Sequence, residues 1–194
     1  LLHLLTTTLS RAGYVVDVRL GSSVTPDLFR NLTRYSLVIL RLHGGYGVRR
    51  SGERVGGLFT GVVWSYRFYR LALEGYVAKG APFYAQERAY VALLPKFLRE
   101  RVRGSFPPNS TVVAFGCYTA LDPKVAEALF SHGLRYYIGW RGRVSVEHMD
   151  RVLSLLVELL AAGTDPAEAV EEVNKVFGPD PSTGEALVLY TSPR

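Results

Sequence analysis

Cysteine is nearly absent from this sequence: Cys117 is its one thiol. A single thiol excludes an internal disulfide, so the chain suits a reducing compartment, and a cytoplasmic location is expected. Lysine is scarce too. Only four of the 23 basic residues are Lys; the rest are Arg, and the net charge is +6. The arginines are scattered, and no basic helix or nucleic-acid motif gathers them. A solvated surface is therefore expected, with no nucleic-acid partner. No run reaches 18 apolar residues, which argues against a spanning helix and a membrane partner. No signal peptide is visible. The four histidines and Cys117 lack any metal-ligand spacing, so no metal site is expected. The stretch HGGYG at 43–47 lacks the following helix and Lys of a phosphate loop, and no cofactor is expected.

What is present is an ordinary globular composition. The 194 residues are 48% hydrophobic and 21% charged, which fits one α/β domain over 1–194. The chain opens inside an apolar, helix-like stretch without an initiating Met, as a fragment would. Residues 1–12 read as a helix stopped by Gly13, and 14–18 (YVVDV) as a strand. Thr25-Pro26-Asp27 starts a helix reaching Tyr35. Residues 36–42 (SLVILRL) and 110–116 (STVVAFG) are apolar runs of the kind buried on both faces of a sheet. The segment 45–61 reads as an exposed loop or hairpin, and 62–79 as a strand followed by a helix. Residues 93–103 form a helix with Pro95 near its start. Helices are expected over 122–131, 146–162 (capped by Ser145) and 165–177, with strands at 134–139 and 186–190. Strands alternating with helices imply a mostly parallel sheet covered on both faces.

In such sheets functional groups gather at the carboxyl ends of the strands. His43 directly follows one apolar strand and Cys117 the other. A nucleophilic Cys reacts as its thiolate and needs a base or imidazolium close by, which this pair supplies. Gly44 leaves its N–H open to a substrate oxygen; with the Cys117 N–H it would form an oxyanion hole. Gly116 permits the tight turn that presents the thiol. The positive end of the helix starting near Asp122 would favour the thiolate as well. His148 and Asp150, one turn into the 146–162 helix, are candidates to line the cleft. His132, before Gly133, reads as a capping or surface residue, and His3 as structural. Glu74, Gln86 and Glu87 fall in the middle segment without an assigned role.

The segments LVILRLHG (37–44) and TVVAFGC (111–117) resemble the caspase-like cysteine peptidases of the gingipain, clostripain and separase type. So does the downstream order Ala-Glu-Ala, Gly139-Trp140, Val144-Ser145. The likeness covers 36–44 and 111–175. It implies a three-layer caspase-like sandwich with a mostly parallel central sheet, whose first strand would precede residue 1. It implies a cysteine endopeptidase acting on a peptide or protein substrate through His43 and Cys117. Gly116, Trp140, Arg141, His148 and Asp150 would lie along the substrate. Two features depart from the pattern: the His-to-Cys spacing is 74 rather than roughly 50, and the Cys stands in GCYTA. Arg141 takes a position where many relatives carry an acid, so recognition of an acidic group is expected there. A catalytically silent caspase-like domain that binds a protein or peptide is the alternative. An amidotransferase-like hydrolase ranks third, because its Cys normally precedes its His. The sequence sets no oligomeric state.

Overall fold

The computed structural model describes residues 1–82 and 88–193, a mixed α/β chain. Its described residues form seven α-helices, α1 (Leu2–Arg11), α2 (Pro26–Arg30), α3 (Tyr69–Leu73), α4 (Pro95–Arg101), α5 (Lys124–Phe130), α6 (Val146–Ala161) and α7 (Pro166–Phe177). Eight strands accompany them: β1 (Leu37–Arg41), β2 (Gly44–Val48), β3 (Arg54–Val63), β4 (Val77–Gly80), β5 (Tyr90–Leu93), β6 (Thr111–Phe115), β7 (Tyr136–Trp140) and β8 (Leu187–Thr191). Among the described residues, no helix is long and apolar enough to cross a membrane.

The larger sheet runs β1-β6-β7-β8; β1, β6 and β7 are parallel and β8 is antiparallel. The apolar runs at 36–42 and 110–116 become its strands because both faces are covered. Val38, Leu40, Val112, Ala114 and Tyr137 enter one core cluster, with Phe29 of α2, Phe97 and Leu98 of α4, and Val125 and Leu129 of α5. Val113, Phe115, Ile138 and Trp140 enter a second, with Leu5 and Leu9 of α1, Leu153 and Leu156 of α6, and Val170 and Val173 of α7. Side chains alternate across a strand, so helices lie on both faces. Burying each large apolar side chain contributes about 1.5–3 kcal/mol.

The expected helix starts hold. Thr25 Oγ1 accepts the Leu28 N–H (3.3 Å), Ser145 Oγ the His148 N–H (3.3 Å), and Asp165 Oδ1 the Ala167 N–H (2.8 Å). The first of these helices is shorter than expected. It stops at Arg30, and a 3-10 turn covers Leu32–Arg34.

The segment 45–61 is a hairpin of β2 and β3. With β5 and β4 it builds a second, antiparallel sheet in the order β2-β3-β5-β4. Leu58, Val77, Val91 and Leu93 turn into the first core cluster, so this sheet shares it. Residues 14–18 are not a strand. They carry no ladder, and Val15 is 99% exposed. β-branched residues make a strand only beside a partner, and among the described residues β1 pairs on one side alone, with β6. Asp17 is tethered instead by the Tyr35 hydroxyl, which donates to its carboxylate (2.7 Å).

Candidate active site

β1 and β6 are parallel neighbours in the register Leu37↔Thr111 through Arg41↔Phe115. Leu42 continues the ladder, donating its N–H to Phe115 O (3.0 Å). Beyond that register, Leu42 and Gly116 come next on the two chains, followed by His43 on one and Cys117 on the other. Both candidates thus leave the same edge of the sheet, at the carboxyl ends of adjacent strands.

Two glycines draw these ends closer than a ladder requires. A Cβ on Gly44 would sit 2.2 Å from Cys117 O, and one on Gly116 would sit 2.2 Å from Leu42 O and 3.2 Å from Gly44 N. No side chain fits at either position. The Phe59 N–H donates to His43 O (2.9 Å). Across a trans peptide the C=O and N–H point in opposite directions, so the Gly44 N–H faces away from β3, on the side where Gly116 lies.

The turn after Cys117 is held from several directions. Cys117 O faces Gly44, and the Tyr118 N–H, on the other side of the same peptide plane, donates to Gly142 O (2.8 Å). Tyr118 has φ +60°, a left-handed conformation uncommon outside Gly and Asn and found often at functional sites. Its ring meets Tyr46 of β2 edge to face at 5.0 Å, and the Arg54 guanidinium lies 4.9 Å over Tyr46. Thr119 is buried beneath the turn. Its hydroxyl donates to Ala114 O (2.6 Å), lies 3.0 Å from Gly116 O, and accepts the Trp140 N–H (3.2 Å). The Val144 backbone walls the thiol. Cys117 Sγ lies 3.6 Å from Val144 O and 3.5 Å from Val144 N. The half-buried Cys117 packs against the second core cluster. The helix after the turn, α5, starts only at Lys124, where Asp122 Oδ1 accepts the Lys124 N–H (2.9 Å).

His43 is exposed at the sheet edge, with its ring 6.3 Å from that of Phe59. Partial burial of the imidazole, then the positive charge of nearby Arg41, hold its pKa below the ordinary histidine value, so the neutral ring prevails at neutral pH. Arg41 is held off by α6. Its Nε and Nη2 donate to the two carboxylate oxygens of Asp150 at 2.7 and 3.0 Å. Asp150 is therefore engaged by Arg41 rather than presented to a substrate.

Trp140 and His148 also differ from expectation. Trp140 is fully buried at the end of β7, its ring 6.2 Å from Phe115 and 5.6 Å from His148. His148 is 7% exposed and packs against Phe177. Both are core groups beneath the site and do not line a surface cleft. Among the described residues, their ring nitrogens Trp140 Nε1 and His148 Nε2 meet no hydrogen-bond partner. Arg141 is exposed, with its guanidinium 5.9 Å over the Tyr190 ring of β8. His132 ties two loops together, its ring nitrogens 2.9 Å from Arg99 O and 3.3 Å from Gly104 O. Glu74 pairs with Arg70 at 2.9 Å. Gln86 and Glu87 lie outside the described residues.

Sequence reasoning missed Thr119, Val144 and Asp180. The Asp180-Pro181-Ser182 turn carried a readable signal, since Asp side chains cap such turns. Val144 acts through its backbone, which no residue type announces. Among the described residues, no group of three or more His, Cys, Asp or Glu side chains is placed to hold a metal. The chain matches no model of a known protein family. A search of curated proteins likewise finds no relative.

Proposed function

We propose that this chain is a caspase-like cysteine endopeptidase domain in which His43 and Cys117 form the catalytic dyad. The observation that supports the reading is the parallel β1–β6 register, which ends at Arg41↔Phe115, two residues before His43 on one chain and Cys117 on the other. Cys117 Sγ attacks the peptide carbonyl carbon. The thiol proton passes to the neutral His43 ring, and His43 returns it to the leaving amine as the C–N bond breaks. The N–H groups of Gly44 and Cys117 stabilise the oxyanion. Water then hydrolyses the thioester, giving up a proton to His43, and the acid product leaves as the thiol re-forms. The substrate is a peptide or protein segment, and Arg141 is the exposed cation that would receive an acidic group from it.

The sheet order and the antiparallel last strand fit the three-layer caspase-like sandwich. That reading also places one further parallel strand against the free edge of β1. Ser36 O and Leu42 N bond toward β6, so by alternation the backbone groups of Leu37, Ile39 and Arg41 face outward. They open onto a groove of about 140 Å³, with Asp17 and Arg19 among its lining residues. An extended segment would complete the ladder there.

The test is alkylation. Cys117 is expected to react with iodoacetamide far faster than a free thiol at neutral pH, and His43→Ala is expected to remove the excess. Slow labelling that ignores His43 would sink the dyad. It would favour a catalytically silent, peptide-binding caspase-like domain, a reading supported by the contact between Cys117 Sγ and Val144 O at 3.6 Å.

A further inference from the structure

The turn that leaves β6 at Cys117 is flanked on two sides by aromatic rings, and each ring carries a guanidinium. β6 lies between β1 and β7. On the β1 side the chain passes through His43 into the β2–β3 hairpin. There the Tyr46 ring meets that of Tyr118 at 5.0 Å, and the Arg54 guanidinium lies 4.9 Å over Tyr46. Hairpin and turn also meet at the backbone: a Cβ on Gly56, the β3 partner of Tyr46, would sit 3.6 Å from Tyr118 O. On the β7 side the Tyr190 hydroxyl of β8 donates to Ala120 O at 3.1 Å, and the Arg141 guanidinium lies 5.9 Å over the Tyr190 ring. The Tyr118 N–H donates to Gly142 O, one residue beyond Arg141.

These two cations differ from their neighbours. Arg41 is engaged by Asp150, and Arg49 and Lys124 by Glu53. Arg54 and Arg141 are exposed, and among the described residues no carboxylate lies within ion-pair distance of either. An arginine over an aromatic face is steadied there by the ring, while the N–H groups on its edge stay open to a planar acceptor. The ring contact also takes up part of the rotamer freedom that binding would otherwise cost. Each side chain is thus prepared for a carboxylate. Arg54 stands two ring contacts from Tyr118, the residue after Cys117, within reach of substrate side chains a few residues from the attacked peptide. A run of phosphates suits the surface less well, because Glu53 and Asp122 stand on the same hairpin and turn and would repel it.

We propose that Arg54 and Arg141 are two cationic subsites flanking Cys117, and that the substrate is an acidic peptide segment crossing the turn with a carboxylate on each. The proposal rests on the reading of the Cys117 turn as the peptide site, and adds to it the second cation and the acidic class of substrate.

The experiment measures binding of fluorescein-labelled hexaglutamate, with labelled hexaglutamine as the neutral reference, by fluorescence polarisation at low ionic strength, where exposed charges are least screened. Cys117→Ser serves as the background, so that no cleavage intrudes. Hexaglutamate is expected to bind about tenfold tighter than hexaglutamine, and Arg54→Gln and Arg141→Gln each to weaken it about three- to fivefold, the range of an exposed ion pair. Arg11→Gln in α1 removes the same charge outside the hairpin and turn, and should leave binding unchanged. Equal binding of the two peptides, or a loss in Arg11→Gln as large as in Arg54→Gln, would overturn the proposal. With Cys117 restored, saturating hexaglutamate should slow alkylation by iodoacetamide; binding that leaves the rate unchanged puts the acid site elsewhere and overturns it as well. So does displacement of hexaglutamate by a lower concentration of single-stranded DNA of equal charge, which would assign the surface to nucleic acid. Failure of the dyad is a separate result. If alkylation ignores His43 while Arg54→Gln still weakens hexaglutamate and bound peptide still shields Cys117, the acid subsites stand on a catalytically silent domain.

Discussion

Replacing Gly44 by Ala tests the geometry of the site most directly. The added methyl would lie 2.2 Å from Cys117 O and 2.9 Å from Thr119 Cγ2, whereas ordinary contact begins at 3.4 Å. The shortfall against the carbonyl is 3.4 − 2.2 = 1.2 Å. Backbone blocks the methyl on that side, so no rotamer change relieves it. Either β2 moves out or the Cys117 peptide moves back. Overpacking of this kind costs about 1–3 kcal/mol. For a chain of this size that lowers Tm by roughly 2–12 °C. The functional loss is larger. A displacement near 1 Å moves the Gly44 N–H away from the developing oxyanion, and a misplacement of that size costs on the order of 100-fold in rate. Cleavage of a peptide pool by Gly44→Ala should therefore fall about 100-fold, while iodoacetamide alkylation, which forms no oxyanion, changes only a few-fold. Gly45→Ala is the control, since its methyl would meet Phe59 Cε1 at an ordinary 3.5 Å. Equal cleavage by Gly44→Ala and the parent, with Tm unchanged, would refute both the close approach and the oxyanion role.

Other consequences can be measured. Asp150→Asn leaves the Arg41 charge uncompensated, so the His43 pKa, already below its ordinary value, should fall further in an NMR titration. A rise would contradict the arrangement. The pair is partly exposed, with side chains 42% and 31% accessible, so the stability cost should stay below about 1 kcal/mol. Because the folded state disfavours His43 protonation, its stability contribution is complete above about pH 6.5 and is lost as pH falls below that. His43→Gln should remove this slope from urea-melt stabilities measured across pH. Asp180 has the depressed-carboxylate sign: its contribution is complete above roughly pH 4 and is lost below, and Asp180→Asn should flatten that acid limb. Trp140→Ala should cost about 3–5 kcal/mol in a urea melt, and a cost under 1 kcal/mol would place the ring outside the core.

Much of the fold was legible because the signals were local. The caps at Thr25, Ser145 and Asp165 and the apolar runs that became β1 and β6 depend on a few adjacent residues. What failed depended on partners. Residues 14–18 have strand chemistry, but among the described residues β1 pairs only with β6, so pairing decided against propensity. The resemblance implies Trp140 as a substrate-side residue, and the helix start suggests His148; burial, which pattern alone does not settle there, puts both beneath the site. Asp150 was read as a lining residue because its pairing with Arg41 joins positions 109 residues apart.

The separation of His43 and Cys117 is set by backbone more than by side-chain choice. Gly116 lets Leu42 O approach where a Cβ would sit, and Gly44 lets Cys117 O do the same, so each strand end fills the space a side chain of the other would need. Beyond that point the chains diverge. The left-handed Tyr118 turns one toward Gly142, while β2 carries the other into the second sheet. The result is a short, tight junction from which an imidazole and a thiol emerge, with Thr119 bracing it from below. The glycines leave the Gly44 N–H facing Gly116 and keep the two backbones in contact where any side chain would part them.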